Sequence, residues 1–200
     1  MATITVPAKL FFTDVELWND RVTSTTRSPF TGKRQTRKRP YDIWGFVGNL
    51  MPLDPMDAGA MRSFLMQLGG QSNNFRLPVP GAKYPLSKFT GTQGLVNGAG
   101  QTGKSISTDG WSINSQILAD GDYFNIGDEL KVCVGNIASN GSGVAVINFE
   151  PPIRAIPADN AAIRVRDPYV LLSADNDDVA RWNVKAPVRH AFKLEATEDF

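Results

Sequence analysis

The residues predict a mainly β protein with one helix, arranged as two units. Three observations carry this expectation. Glycine (18) and proline (13) are both frequent, which favours turns and short strands over a helical bundle. From Trp111 onward, short apolar stretches alternate with turn pairs at Asp120-Gly121, Gly127-Asp128, Asn140-Gly141 and Asp159-Asn160, the spacing of a small barrel or sandwich. One segment alone, 55–68, has clear helical periodicity.

In chain order, residues 11–18 are apolar and aromatic with partial alternation, which suggests a strand. Residues 28–32, Ser-Pro-Phe-Thr-Gly, form a turn, and 41–47 return as a second β segment, so 15–47 reads as a long hairpin with its tip near 29–32. Asp54 is a good helix N-cap, Pro55 suits the first helical position, and Asp57 places negative charge in the first turn. Ala58, Met61, Leu65 and Leu68 then recur on one stripe with Phe64 beside them, and Gly69-Gly70 ends the helix. A short apolar stretch at 74–80 is broken by Pro78 and Pro80. Residues 81–110 shift toward Gly, Thr, Gln and Ser and read as a linker or loop. The β series follows at 111–118, 123–126, 130–137, 144–149 and 162–165, closed by 167–178. The stretch 181–194, with Trp182, Val184, Val188, Phe192 and Leu194, reads as a last strand returning to the first domain. The expected division is 1–90, joined by 181–200, and 91–180. In the second unit Trp111, Leu130, Val132, Val134, Val144, Val146 and Phe149 are the expected core.

Composition narrows the function classes. With 200 residues, 42% of them hydrophobic, the chain can bury a sizeable core. A net charge of +1 gives no global pull toward nucleic acid or membrane. The single cysteine, Cys133, excludes an intrachain disulfide and fits a reducing compartment. The start lacks a basic, apolar leader, and no stretch approaches the ~18 apolar residues of a membrane span. The expectation is a protein used inside a cell, or assembled there into something larger.

Residues 98–105 read G-A-G-Q-T-G-K-S, a full match to the phosphate-cradling pattern G-x-x-x-x-G-K-[S/T]. A working P-loop joins a buried strand to a helix. Here the upstream residues are too polar for a buried strand, and Asp109-Gly110 with Trp111 does not open a helix. The expectation is a flexible glycine loop that binds no nucleotide. Cys133 between Val132 and Val134 reads as a buried thiol, and the lone His190 has no ligand-like spacing. Asp175-Asn176-Asp177-Asp178 lacks the loop pattern of a calcium site. No catalytic, metal-binding or cofactor-binding residue is predicted. What stands out is a basic cluster, Arg27, Lys33, Arg34, Arg37, Lys38 and Arg39, with no acid among them. It reads as a solvated hairpin whose charge meets an acidic partner surface; the alternative is contact with a phosphate backbone.

The order of several segments resembles tail proteins of long-tailed, non-contractile bacteriophages. They are Arg27-Ser28-Pro29-Phe30-Thr31-Gly32, Trp44, the helix ending Phe64-Leu65-Met66-Gln67-Leu68-Gly69-Gly70, Phe75-Arg76-Leu77-Pro78, and Val96-Asn97-Gly98-Ala99-Gly100-Gln101-Thr102-Gly103 with Thr108-Asp109-Gly110-Trp111. Further segments continue the likeness: 118–127, 139–143, 149–154 and 157–163. The resemblance implies a distal tail or tail-tip structural protein, not an enzyme, without cofactors. It implies a first domain with the tail-tube fold, a β-sandwich with one helix and a long hairpin that joins subunits. It also implies a ring, of six copies, lying between the tail tube and the hub or receptor-binding apparatus of the baseplate. The partners implied are the chain itself, the tail tube protein, hub and tip proteins and the tape measure protein, with no membrane and no specific nucleic acid. The place implied is the virion tail, assembled in the bacterial cytoplasm.

Overall fold

The computed structural model describes residues 1–8, 10–185 and 189–199. In chain order the elements are β1 (Thr3–Ile4), β2 (Phe12–Arg27), β3 (Arg34–Leu50), α1 (Pro55–Leu68), β4 (Asn74–Pro78), β5 (Leu95–Val96), β6 (Ser105–Asp109) and β7 (Gln116–Leu118). Then follow β8 (Tyr123–Ile126), β9 (Glu129–Cys133), β10 (Ile137–Ala138), β11 (Ala145–Glu150), β12 (Ile163–Arg164), β13 (Tyr169–Ala174), β14 (Trp182–Lys185) and β15 (Arg189–Glu198). Among the described residues the protein is mainly β with a single α-helix. It divides into two units, Met1–Phe75 with Leu172–Asp199, and Arg76–Leu171. Composition places the limits at 90 and 180. The chain changes unit earlier at both places, because the Gly-rich stretch that reads as a linker holds β5 and β6 of the second unit.

The first unit is built on a large sheet in the order β1-β4-β13-β15-β3-β2, with β14 paired to β15. The last strand therefore lies in this unit, antiparallel to β3 from Lys193↔Asn49 to Thr197↔Gly45; Val188 of the expected strand lies outside the described residues. Along β15 every second residue, His190, Phe192, Leu194 and Ala196, is buried, the period-two signature of a strand with one covered face. Helix α1 forms where its caps place it. The Asp54 carboxylate accepts from the N–H groups of Met56 and Asp57 at 3.1 and 3.0 Å, and Gly69 ends the helix in the left-handed region at φ 59°. Its stripe Ala58, Met61, Phe64, Leu65 and Leu68 is buried, and Phe64 meets Phe75 edge-on with ring centroids 5.4 Å apart.

The second unit is a six-stranded sheet in the order β12-β8-β9-β11-β6-β5. A bridge between Leu95 and Ala162 brings β5 back beside β12, so the sheet is a nearly closed barrel. Its core includes Val96, Ile106, Trp111, Leu118, Phe124, Cys133, Ala145, Ile147, Phe149 and Val165. Trp111, Leu130 and Phe149 are buried as expected. The four valines are not in that core: Val132 and Val144 are half-buried, while Val134 and Val146 are 50% and 52% exposed. The register is one residue off the expectation, and Lys131 with Cys133, and Ala145 with Ile147, point inward instead. Two strand segments also change. The expected 130–137 is interrupted at 134–136. Residues 111–115 are loop, and only 116–118 are strand. The loop 140–143 comes too close for a side chain: a Cβ on Gly143 (φ +72°) would lie 2.5 Å from the Trp111 carbonyl oxygen.

The inward Lys131 is fully buried. Its ammonium donates to Glu129 Oε2 at 2.5 Å and to the Pro152 carbonyl at 2.7 Å. Glu129 in turn accepts from the backbone N–H groups of Arg154 (3.2 Å) and Ala155 (2.5 Å). A lysine can occupy this core position because its charge meets a carboxylate and a carbonyl.

Candidate interaction surface

Strands β2 and β3, of 16 and 17 residues, form the hairpin read from the sequence. They pair from Phe12↔Leu50 to Arg27↔Arg34. The turn is closed by Ser28 N–H to Lys33 O (3.0 Å) and Gly32 N–H to Ser28 O (2.9 Å), and Gly32 takes φ +67°, where glycine costs least. The register shifts between Arg21↔Asp42 and Thr23↔Lys38. One residue lies between the two pairs on β2 and three on β3, so β3 bulges at 39–41, around Pro40, which has no N–H to give the ladder. Asp42 anchors this bulge: it is buried, 2.8 Å from Lys38 Nζ and 3.6 Å from Arg21 Nε.

The bulge divides the hairpin into a stem and a tip. The β3 side of the stem is held by β15. The tip, Thr23–Arg27 against Arg34–Lys38, has no third strand among the described residues. No residue of β2 is buried, and at the turn Phe30 is 95% exposed.

Arg27, Lys33, Arg34, Arg37 and Lys38 all lie exposed on this tip; the side chain of Arg39 lies outside the described residues. The structure does bring the cluster together, although on two faces. Arg27 stands opposite Arg34 and shares its face with Lys38, while Arg37, opposite Ser24, points the other way. From Arg21 to Tyr41 every charged residue is basic.

The stem carries the opposite sign, a feature the sequence reading passed over. Asp14, Glu16 and Asp20 are exposed and share one face of β2 with Trp18, which is 39% exposed. Trp18 lies flat on Gly45 of β3: a Cβ there would be 2.4 Å from the indole ring. None of the three carboxylates pairs with a cation among the described residues. The signal was available as acid at every second position but one, with the aromatic in the gap, and only the strand register makes it a stripe.

The other candidates resolve into structural roles. The loop 98–105 is followed by strand β6, not by a helix, so its backbone has no helix N-terminus to offer a phosphate. Gln101 organises it, donating to Asn97, Gly98 and Ser107 carbonyls while its Oε1 accepts the Ser107 N–H at 2.7 Å. The Gly98 N–H is taken by Asp159 at 2.8 Å, and Lys104 is ion-paired with Glu150. Cys133 is buried; burial, with Asp122 and Asp120 nearby, pushes its thiol up to about 12. Asp175 accepts from Thr197, Asp177 from the Gln71 N–H, and Asp178 pairs with Arg181. Among the described residues no group of three or more His, Cys, Asp or Glu side chains is placed to hold a metal ion, and no helix is long and apolar enough to cross a membrane. No protein-family model matches the chain, and no curated protein matches it.

Proposed function

We propose that the chain is a structural protein of a bacteriophage tail tip, a distal tail protein that forms a ring between the tail tube and the hub or receptor-binding apparatus. One observation carries the reading furthest: a hairpin far longer than the sheet that holds it, its outer strand β2 unburied along its whole length and its outer edge paired with no other strand among the described residues. A two-stranded ribbon alone is marginal in water, and an open edge of this length is a template for another chain. An element of this kind is suited to joining subunits. The segment order that resembles long-tailed phage tail proteins supplies the setting, and with it the sixfold ring. The basic tip also favours a second reading, a nucleic-acid-binding module, since Arg and Lys without neighbouring acids attract phosphate. The experiment is the mass of the full chain in solution together with its copy number in isolated tails by quantitative mass spectrometry. A multiple of six in tails supports the ring. A monomer in solution with one or two copies per tail refutes it, and duplex binding that collapses with salt favours the second reading.

A further inference from the structure

We propose that the acidic stripe on the hairpin stem is a receptor for arginine, and that its occupant is the basic hairpin tip of a second copy of this chain. The proposal rests on the ring reading and specifies its contact. The stripe has the chemistry of a guanidinium site. Glu16 and Asp20 flank Trp18 at two residues on either side, on one strand face, where such side chains stand about 7 Å apart. The indole is held flat by the close approach of Gly45. A guanidinium stacked on that ring reaches a carboxylate on each side, combining cation–π attraction with charge-assisted hydrogen bonds. A lysine ammonium lacks the planar fork, so the site prefers arginine.

The tip presents Arg27, Arg34 and Arg37, all exposed. It cannot satisfy its own stem. Arg27 lies seven residues from Asp20 along a continuous strand, roughly 23 Å at about 3.3 Å per residue. That is well beyond the ~8 Å over which exposed charges act in physiological salt. Lys38 of the tip is paired with Asp42, but Arg27 at the end of the tip cannot reach the Glu16–Asp20 stripe of its own hairpin, which is left for another molecule. Tip on stem is a head-to-tail contact, with a different patch on each partner, and such contacts propagate into a closed ring or an open filament. The outer edge of β2, which no strand pairs among the described residues, lies beside the stripe, so an incoming ribbon meets complementary charge and a strand edge together.

The test uses the full chain in two charge-reversed forms, Glu16→Lys/Asp20→Lys and Arg27→Glu/Arg34→Glu, and a third carrying all four changes. All four positions are exposed, and circular dichroism checks that each variant folds. Self-association is read by sedimentation at low and high salt, and incorporation is scored in isolated tails. Each two-site reversal is expected to weaken association at least about tenfold, and the four-site variant to recover it to within about threefold. Raised salt should weaken the wild-type contact. Association unchanged by both reversals overturns the proposal while leaving the ring intact. So does a folded four-site variant that fails to recover. If Arg27→Glu/Arg34→Glu abolishes salt-sensitive binding of a DNA duplex and leaves assembly untouched, the tip reads phosphate and the stripe is not its partner. A wild-type chain that never assembles, in solution or in tails, removes the ring reading itself.

Discussion

Replacing Glu129 with Gln should destabilise the second unit severely. The substitution keeps the shape and keeps an amide oxygen for the N–H groups of Arg154 and Ala155, which Glu129 now receives at 3.2 and 2.5 Å. What it removes is the negative charge beside Lys131, whose side chain is 0% exposed. The ammonium then keeps the Pro152 carbonyl at 2.7 Å but loses its counter-charge. Breaking a buried pair from one side costs about 3–5 kcal/mol, because the remaining charge cannot regain water. Lys131→Met should cost less, since the carboxylate left behind still accepts two backbone N–H groups and has Arg154 Nε 3.7 Å away.

The same pair sets a pH dependence. Burial raises the Glu129 carboxyl's affinity for its proton, but the hydrogen bond from Lys131, the backbone N–H groups of Ala155 and Arg154 and the Lys131 charge outweigh it. Its pKa therefore falls below the ordinary 4.5. A group depressed on folding contributes stability that is present above its unfolded value and is lost as pH falls through its folded value. Wild-type stability should therefore decline below about pH 4.5, more steeply than that of Glu129→Gln. Urea unfolding from about pH 3 to about pH 7, a span that brackets the ordinary Asp and Glu pKa values, reads both effects. A cost under about 1 kcal/mol for Glu129→Gln, or a larger cost for Lys131→Met, would refute the account of this pair.

Three further outcomes follow from the geometry. Ile147→Asp, in the barrel core, should cost several kcal/mol, about the penalty for an unpaired buried charge, whereas the neighbouring Val146→Asp should stay within about 0.5 kcal/mol; equal melting temperatures would show the register to be wrong. Lys104→Ala should leave assembly unchanged, and calorimetry should detect no ATP or GTP binding at micromolar concentrations, since the loop leads into a strand; micromolar binding abolished by the substitution would restore the P-loop reading. Cys133, its thiol pushed up to about 12, should resist a thiol reagent at pH 8 until the protein unfolds, so rapid native-state labelling would contradict its burial.

What was legible in the sequence was whatever local chemistry decides. Helix α1 has the expected bounds because Asp54, Pro55 and Gly69 act on their own neighbours, and the stripe from Ala58 to Leu68 follows from a period of 3.6. The hairpin and its tip were legible for the same reason, since Pro29 and Gly32 fix a turn without help from the rest of the fold. The barrel core was not. Valine suits either face of a strand, so Val132, Val134, Val144 and Val146 gave no sign of direction. The residues that did face inward included Lys131, whose burial depends on Glu129 and on the Pro152 carbonyl, a contact 21 residues away in the chain. The P-loop match shows the converse. Its letters are complete, but its geometry depends on whether residues 105–109 coil or extend, and there they extend as β6.

The acidic stripe was hidden for a different reason, and it bears on why the hairpin is shaped as it is. Asp14, Glu16 and Asp20 are unremarked in sequence because exposed carboxylates are the commonest surface residues. They gain meaning from what the tip lacks. Its cross-strand pairs are polar or repulsive: Thr25 faces Thr36, Thr26 faces Gln35, and Arg27 faces Arg34. Pairs of this kind contribute roughly 0.2–1 kcal/mol at best, and like charges directly opposite oppose the pairing. The tip cannot owe its form to a core either, since none of its residues on β2 is buried. A ribbon selected for its own stability would not set like charges directly opposite each other at its end, as Arg27 and Arg34 are. This one carries arginines, which raise the free energy of the isolated hairpin and lower that of a complex with an acidic, aromatic surface. The stem of the same strand presents such a surface around Trp18. The tip-on-stem contact we propose therefore accounts for the charge of both halves of β2 and β3 with one interaction, where separate explanations for tip and stem would need two.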